Sequence, residues 1–254
     1  MPYYNDITRL RRILGELRTQ CPWDKKQTID SLRQLTIEET YELAGAITAK
    51  DWPGIREELG DLLLHILFYA RIGQEEGKFT LEDVIEGVCN KLVHRHPHIY
   101  GNVAAETDEA VKRNWEKLKL KEGKSSILSG VPQALPALVK ALRLQEKTKT
   151  VGFEWEHMHQ VKEKVDEEIQ ELYEAAEKGN HDETEAELGD VLFALVNYAR
   201  FAGIDPEHAL ERSNQKFIRR FQAIEDRSRE LGKPLQEMSL DEMDAIWNEV
   251  KKAE

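Results

Sequence analysis

The sequence contains few residues that interrupt helices or cross-link a chain. Its 254 residues include 15 glycines, 8 prolines and 2 cysteines. Cys21 and Cys89 have neither metal-binding nor disulfide spacing, so we expect two isolated core thiols and a reducing, cytoplasmic location. A composition that is 40% apolar and 33% charged, with little glycine or proline, favours helix.

Long apolar runs and an excess of basic residues are also lacking. The longest run, Leu62–Ala70, is interrupted by His65 and predicts a buried helix, because it is too short to cross a bilayer. Met1–Leu17 is polar and charged, so no secretory signal is expected. The net charge of −12 argues against nucleic acid or an anionic membrane as partner, since both would repel the chain. A small anionic substrate stays compatible if a cation mediates.

Apolar residues recur at helical spacing almost throughout, and no alternating strand pattern stands out. The sequence therefore predicts an all-α protein, with helices at residues 3–20, 28–50, 53–77, 80–96, 106–122, 134–149, 158–178, 181–203, 205–231 and 239–252. The least periodic stretch, Lys121–Pro136, is rich in Gly, Ser and Pro and predicts a linker. We expect an N-terminal helical domain at 1–122, a linker at 123–135 and a C-terminal helical domain at 136–254.

The two halves repeat one unit. Three motifs of the first half recur 129 residues later, as the shift from Glu38 to Glu167 shows. Glu38-Glu39-Thr-Tyr-Glu42-Leu43 returns as Glu167-Glu168-Ile-Gln-Glu171-Leu172, Glu58-Leu-Gly-Asp61 returns as Glu187-Leu-Gly-Asp190, and Tyr69-Ala-Arg71 returns as Tyr198-Ala-Arg200. Further along, Lys91 and Arg95 match Lys216 and Arg220, and Trp115 matches Trp247. The chain is thus a tandem duplication of one acidic helical module.

The repeated acids have the spacing of a metal site. Glu39 and Glu42 share one helix face, and Glu58 and Asp61 share a face of the next helix. Consecutive helices joined by a short turn pack antiparallel, so four carboxylates can converge. The second copy repeats the set with Glu168, Glu171, Glu187 and Asp190. At an effective dielectric near 20, each carboxylate pair about 4 Å apart repels by about 4 kcal/mol. Raised pKa values or a bound cation must relieve this repulsion.

Ligands that are all oxygen favour a hard cation, and Mg²⁺, with Mn²⁺ as a substitute, commonly shares its shell with substrate phosphates. A single Glu-Glu-x-x-Glu is usually a solvated face, but its repetition before an apolar helix favours a metal. A di-iron bundle is the competing metal site and needs Glu-x-x-His on two facing helices. Glu154-x-x-His157 and Glu156-x-x-His159 overlap on one segment and do not meet that requirement.

Basic and aromatic residues follow the acids in both copies. Lys216 and Arg220 share a helix face and suit a polyphosphate beside a metal, with a solvated basic face as the alternative. Trp247 and Trp115 are expected either to stack on a base or to anchor the core. We interpret His94, His96 and His98 as a helix terminus. The loops Cys21–Asp24 and Gly152–Trp155 are interpreted as structural anchors rather than lids.

As a set, these motifs resemble the MazG family of bacterial two-domain nucleoside triphosphate pyrophosphohydrolases, within the all-alpha NTP pyrophosphatase superfamily. The resemblance covers nearly the whole chain and rests on Cys21-Pro22-Trp23-Asp24, Glu38-Glu39-x-x-Glu42, Glu58-x-x-Asp61, Arg95-His96-Pro97-His98, Val151-Gly152-Phe153-x-Trp155, Glu167-Glu168-x-x-Glu171, Glu187-x-x-Asp190 and Lys216-x-x-x-Arg220. It implies Mg²⁺-dependent hydrolysis of NTPs and dNTPs between the α and β phosphates. It also implies a homodimer of four-helix-bundle-like modules.

In the family the C-terminal copy is the catalytic one. Carried over by motif, the resemblance implies that Glu168, Glu171, Glu187 and Asp190 hold Mg²⁺, that Lys216 and Arg220 bind phosphates, and that Trp247 contacts the nucleotide. The matching N-terminal residues are Glu39, Glu42, Glu58, Asp61, Lys91, Arg95 and Trp115. Glu167 or Glu168 is the expected general base. The alternatives are a non-enzymatic helical regulator that binds nucleotides or a partner protein, and a narrower dUTPase-like or modified-nucleotide hydrolase.

Overall fold

The computed structural model describes residues 6–102, 107, 111, 114–115 and 126–253. The chain divides into two compact units, Met1–Trp115 and Glu116–Glu254. All regular elements of the described residues are helical, which confirms the all-α prediction. The predicted helix 106–122 lies largely outside the described residues, as do residues 123–125 of the predicted linker. The described part of the linker, 126–135, contains one 3-10 helical turn at Ile127–Gly130, and the domain boundaries stay a prediction.

The N-terminal unit contains five described helices: α1 (Ile7–Gln20), α2 (Ile29–Ala49), α3 (Trp52–Glu75), α4 (Leu81–Arg95) and the short α5 (Pro97–Tyr100). Local sequence fixes the helix starts, since Asp6 Oδ1 accepts a hydrogen bond from the Arg9 amide at 3.0 Å. Thr28 caps α2 and Thr80 caps α4, each in a reciprocal box with the residue three positions later. Helices α2 and α3 pack against each other.

The core of this unit comes mainly from α3. The buried residues of this core are Leu14, Leu32, Leu67, Phe68, Ala70, Ile72 and Leu81. The expectation of a buried helix at Leu62–Ala70 holds for one face only, because Leu63 and Ile66 are exposed. The expectation of two core thiols is wrong for Cys89, which is exposed because α4 buries only Leu81.

The C-terminal unit contains five more helices: α6 (Ala137–Lys149), α7 (Met158–Lys178), α8 (His181–Phe201), α9 (Pro206–Leu231) and α10 (Leu240–Ala253). Gly179 joins α7 to α8 in the left-handed region, at φ 70°. This tight turn places α7 beside α8, and α9 packs against α10. Within the part of the chain that the structure describes, no helix is both long and apolar enough to cross a membrane.

Candidate metal and nucleotide site

Three of the predicted carboxylates meet between α7 and α8. Glu168, Glu171 and Glu187 each offer one oxygen, and these oxygens lie within 4.8 Å of one another. The i, i+3 spacing on α7 and the Gly179 turn bring them together. Asp190 lies one turn further along α8, is exposed, and is not a member of this group.

This donor set fits a hard cation. Carboxylate oxygens around Mg²⁺ at about 2.1 Å from the ion lie at most about 4.2 Å apart, so the observed 4.8 Å limit needs only small side-chain rotations. Loss of solvent and the charge of Glu168 raise the pKa of Glu171, as expected for carboxylates that lie close together. We therefore describe Glu168, Glu171 and Glu187 as the C-terminal cluster.

Lys164 is a site residue that the sequence reasoning missed. Its Nζ lies 2.7 Å from Glu168 Oε1 and 2.8 Å from Glu167 Oε1. These hydrogen bonds raise the pKa of Lys164, so its ammonium keeps its charge. Glu168 is buried, at 8% exposure, and this partner compensates its charge. The i, i+3 and i, i+4 spacings were the available signal.

The N-terminal unit repeats the carboxylate group without the lysine. Glu39, Glu58 and Asp61 place oxygens within 4.8 Å of one another, and Glu42 is not a member. Loss of solvent and the charge of Asp61 raise the pKa of Glu39. Loss of solvent and the charge of Glu42 raise the pKa of Glu58. We call Glu39, Glu58 and Asp61 the N-terminal cluster.

The predicted basic and aromatic residues also form a repeated arrangement. The Arg220 guanidinium lies 5.3 Å from the Trp247 ring centroid, and the Phe217 ring meets Trp247 edge-on at 5.3 Å. In the N-terminal unit Arg95 lies 5.4 Å from the Trp115 ring centroid. Lys216 and Lys91 are exposed on the same helices as these arginines. Each unit thus presents an arginine–tryptophan pair of the kind that contacts phosphate and base.

The histidines and the aromatic residues of the loops do not belong to either carboxylate cluster. His96 ends α4, where its Nδ1 lies 2.6 Å from the Leu92 carbonyl oxygen and its ring meets Trp115 edge-on at 5.0 Å. In the two loops before the acidic helices, the rings of Trp23 and Phe153 are exposed, at 55% and 80%. Polar residues rather than these rings anchor the two loops: Asp24 is buried, and Glu154 forms an ion pair with Arg200.

The geometry defines a class of protein: an all-helical, duplicated module in which carboxylates that suit a hard cation come together and an arginine packs on a tryptophan. The MazG nucleotide pyrophosphohydrolase domain matches residues 27–100 and 156–224, which is more than half of the chain and includes both clusters. The chain therefore belongs to the MazG family.

Relatives support this membership over the full length. The chain is 40% identical to the Nucleoside triphosphate pyrophosphohydrolase of Escherichia coli over 98% of both chains. It is 41% identical to the Nucleoside triphosphate pyrophosphohydrolase/pyrophosphatase MazG of Thermotoga maritima, over 94% of this chain and 93% of that protein. It is 48% identical to the Uncharacterized protein YabN of Bacillus subtilis over 99% of this chain, but spans only 53% of that protein's length.

Proposed function

We propose that this chain is a Mg²⁺-dependent nucleoside triphosphate pyrophosphohydrolase that hydrolyses NTPs and dNTPs to the nucleoside monophosphate and pyrophosphate. The C-terminal cluster carries the proposal, because three carboxylate oxygens within 4.8 Å of one another suit the cation that a triphosphate needs. The names of the E. coli and T. maritima relatives support the same activity.

Each residue then has a chemical task. Glu168, Glu171 and Glu187 would hold Mg²⁺, and Asp190, one turn further along α8, would join them through a change of side-chain rotamer. Bound Mg²⁺ supplies charge neutralisation at the phosphates and lowers the pKa of a coordinated water. Lys164 orients Glu167 and Glu168 through bonds of 2.8 and 2.7 Å, and one of these carboxylates accepts the proton of the attacking water.

The phosphates and the base need separate contacts. Arg220 and Lys216 neutralise phosphate oxygens that the cation leaves uncompensated. Trp247 offers a ring face for the base and is itself oriented by Arg220 and Phe217.

The test measures pyrophosphate and nucleoside monophosphate release from ATP and a dNTP panel, with and without Mg²⁺. We expect Glu171→Ala and Asp190→Ala to abolish release while circular dichroism shows an unchanged helix content. Glu177→Ala is the matched control, because this exposed glutamate is nine residues beyond Glu168 and therefore lies on the opposite face of α7. Unchanged turnover in Glu171→Ala contradicts the assignment. Less than one turnover per wild-type chain favours the non-enzymatic regulator, and activity on a single nucleotide favours the narrower hydrolase.

We further propose that the chain works as a homodimer. Leu188, Leu192 and Leu195 form an exposed apolar stripe on α8, the helix that also carries Glu187. Such a stripe at helical spacing is typical of a packed helix face. Sedimentation should give twice the monomer mass, and Leu192→Asp should shift the chain to monomer. A wild-type monomer at micromolar concentration contradicts this proposal.

A further inference from the structure

A cavity of about 220 Å³ lies inside the N-terminal unit, between α1, α3 and α4. Its apolar walls are Leu14, Leu67, Ala70 and Leu81, all buried residues of the core. Its polar residues are Arg11, Arg71 and Gln74. Gln74 is thirteen residues beyond Asp61 on α3, which is about 20 Å at 1.5 Å per residue. The cavity is therefore distinct from the N-terminal cluster.

The two arginines that line this cavity are paired to different degrees. Arg11 is bidentate to Glu82, at 2.5 and 3.2 Å. Arg71 pairs with Glu75 at 2.8 Å, and Glu75 also pairs with Arg18 at 3.0 Å. Arg71 therefore shares its carboxylate with a second arginine, and its charge is less fully compensated than that of Arg11.

Arg71 is the arginine with unused donors. It bonds Glu75 through Nε alone, and its Nη1 and Nη2 make no hydrogen bond with any residue that the structure describes. Its side chain is 39% exposed and lines the cavity. A guanidinium with both Nη groups open matches the two oxygens of a carboxylate or phosphate.

The C-terminal copy shows which group pairs with the arginine at this position of the repeat. Arg200 is the repeat equivalent of Arg71 and is only 9% exposed. Its Nη1 and Nη2 both bond the Glu154 carboxylate, at 2.8 and 2.5 Å. In the C-terminal unit both Nη groups of the arginine therefore bind a carboxylate of the same unit. In the N-terminal unit the Nη groups of Arg71 border the cavity instead.

We propose that this cavity is a binding site for a small organic anion, whose carboxylate or phosphate group is held by Arg71 and Gln74. The four apolar walls would receive a compact apolar part of the ligand, since burial of apolar surface favours binding. Pockets for drug-sized ligands run from about 300 to 1,000 Å³, so the ligand is smaller than a nucleoside triphosphate. This site does not depend on the proposed hydrolase activity.

Calorimetric titration of the full chain tests the ligand chemistry. Benzoate and phenyl phosphate carry the two head groups on the same ring, orthophosphate lacks the ring, and benzamide lacks the charge. Mg²⁺ is omitted so that anions are not recruited to the carboxylate clusters. We expect saturable binding of benzoate or phenyl phosphate, and the tighter one identifies the head group. Orthophosphate and benzamide should bind at least about tenfold more weakly, because each lacks one of the two contributions.

Variants locate the binding. Arg71→Met removes the fork but keeps the apolar stem, and Gln74→Glu places a negative charge at the exposed rim. Each should weaken binding about tenfold or more, since each removes or opposes a charge-assisted hydrogen bond. Arg12→Met is the matched control, because Arg12 lies on α1 but pairs with Glu16 outside the cavity.

The proposal is overturned if neither aromatic anion binds saturably, or if binding is the same in wild type and in both variants. Equal affinity for orthophosphate and phenyl phosphate overturns the role of the apolar walls. If circular dichroism shows that Arg71→Met does not fold, Gln74→Glu decides alone, because Gln74 is exposed.

Discussion

The two carboxylate clusters differ in one cation and in one member, since Asp61 belongs to the N-terminal cluster and Glu171 to the C-terminal one without their repeat equivalents. Lys164 bonds Glu167 and Glu168 in the C-terminal unit, whereas the equivalent position in the repeat is Leu35. In the N-terminal cluster the pKa values of both Glu39 and Glu58 are raised, first by loss of solvent and then by neighbouring carboxylates. The C-terminal cluster is thus partly neutralised and oriented by the protein itself. In the N-terminal cluster no lysine of the same helix occupies this position, and the neighbouring carboxylates act on one another.

A second difference concerns the arginine that ends the apolar stretch of each unit. Arg200 is enclosed by Glu154 and by Asn197, which accepts a further hydrogen bond at 2.7 Å. Arg71 shares Glu75 with Arg18 and stays more exposed. Duplication preserved the arginine, while the partner loops diverged. The C-terminal unit uses this position for stability, and the N-terminal unit leaves it accessible.

The largest expected effect on stability is that of Glu154→Gln. Removing one partner of a mostly buried pair leaves Arg200 under-compensated, which costs about 3 kcal/mol of the free energy of unfolding. The matched change Glu75→Gln, in the more exposed N-terminal arrangement, should cost about 1 kcal/mol. Urea denaturation followed by circular dichroism measures both. Equal losses would show that the two arginine sites do not differ in the way described.

Lys164→Met removes the main difference between the clusters. It leaves the buried Glu168 without its cation, so we expect kcat/KM for ATP to fall about ten- to a hundredfold, the range for residues that orient metal ligands. Mg²⁺ binding without nucleotide should tighten, because the ammonium no longer competes for these oxygens. Lys162→Met is the control on the same helix, since Lys162 pairs with the exposed Asp166 rather than with a member of the cluster. Similar kinetics for the two variants would remove Lys164 from the site.

Much of the fold follows from local sequence. Caps such as Thr28 and breakers such as Gly179 determine helix ends to within a few residues. The i, i+3 spacing and a short turn bring Glu168, Glu171 and Glu187 together. The exclusion of Asp190 did not follow, because whether a fourth carboxylate joins depends on side-chain rotamers and on the exact rotation of α8.

Long-range contacts were not predictable from the pattern. Glu154 and Arg200 are distant in sequence, and their pairing depends on how the loop after α6 folds over α8. The cavity beside Arg71 likewise arises from three helices at once. The exposure of Cys89 shows the same limit, because helical periodicity locates an apolar face but does not say whether another element covers it.

The pH dependence of Mg²⁺ binding should also separate the two clusters. A raised pKa means that Glu39 and Glu58 retain protons above pH 4.5, the ordinary value for glutamate. Bound protons compete with the metal, so Mg²⁺ affinity rises with pH, by up to about tenfold per pH unit for each proton released. In the C-terminal cluster loss of solvent and the charge of Glu168 raise the pKa of Glu171, and the positive charge of Lys164 opposes that rise.

Each cluster is measured in a variant that disables the other. Glu171→Ala reports the N-terminal cluster, and Glu58→Gln reports the C-terminal one. Calorimetry from pH 4.5 upward should show the steeper rise in Glu171→Ala. Identical pH profiles would mean that Lys164 does not set the protonation of its neighbours.

The smallest expected change is in the free energy of unfolding, and it concerns the turn that joins the two acidic helices of each unit. Lys50 and Gly179 occupy equivalent repeat positions, and both have positive φ, 56° and 70°. A side chain in this region costs about 1 kcal/mol relative to glycine, partly offset because glycine is more flexible when unfolded. Lys50→Gly should therefore stabilise the N-terminal unit by about 0.5 kcal/mol, and Gly179→Ala should destabilise the C-terminal unit by about 1 kcal/mol. Thermal unfolding measures both. If Lys50→Gly instead lowers stability, Lys50 makes a compensating contact, and the two turns are not equivalent supports for their clusters.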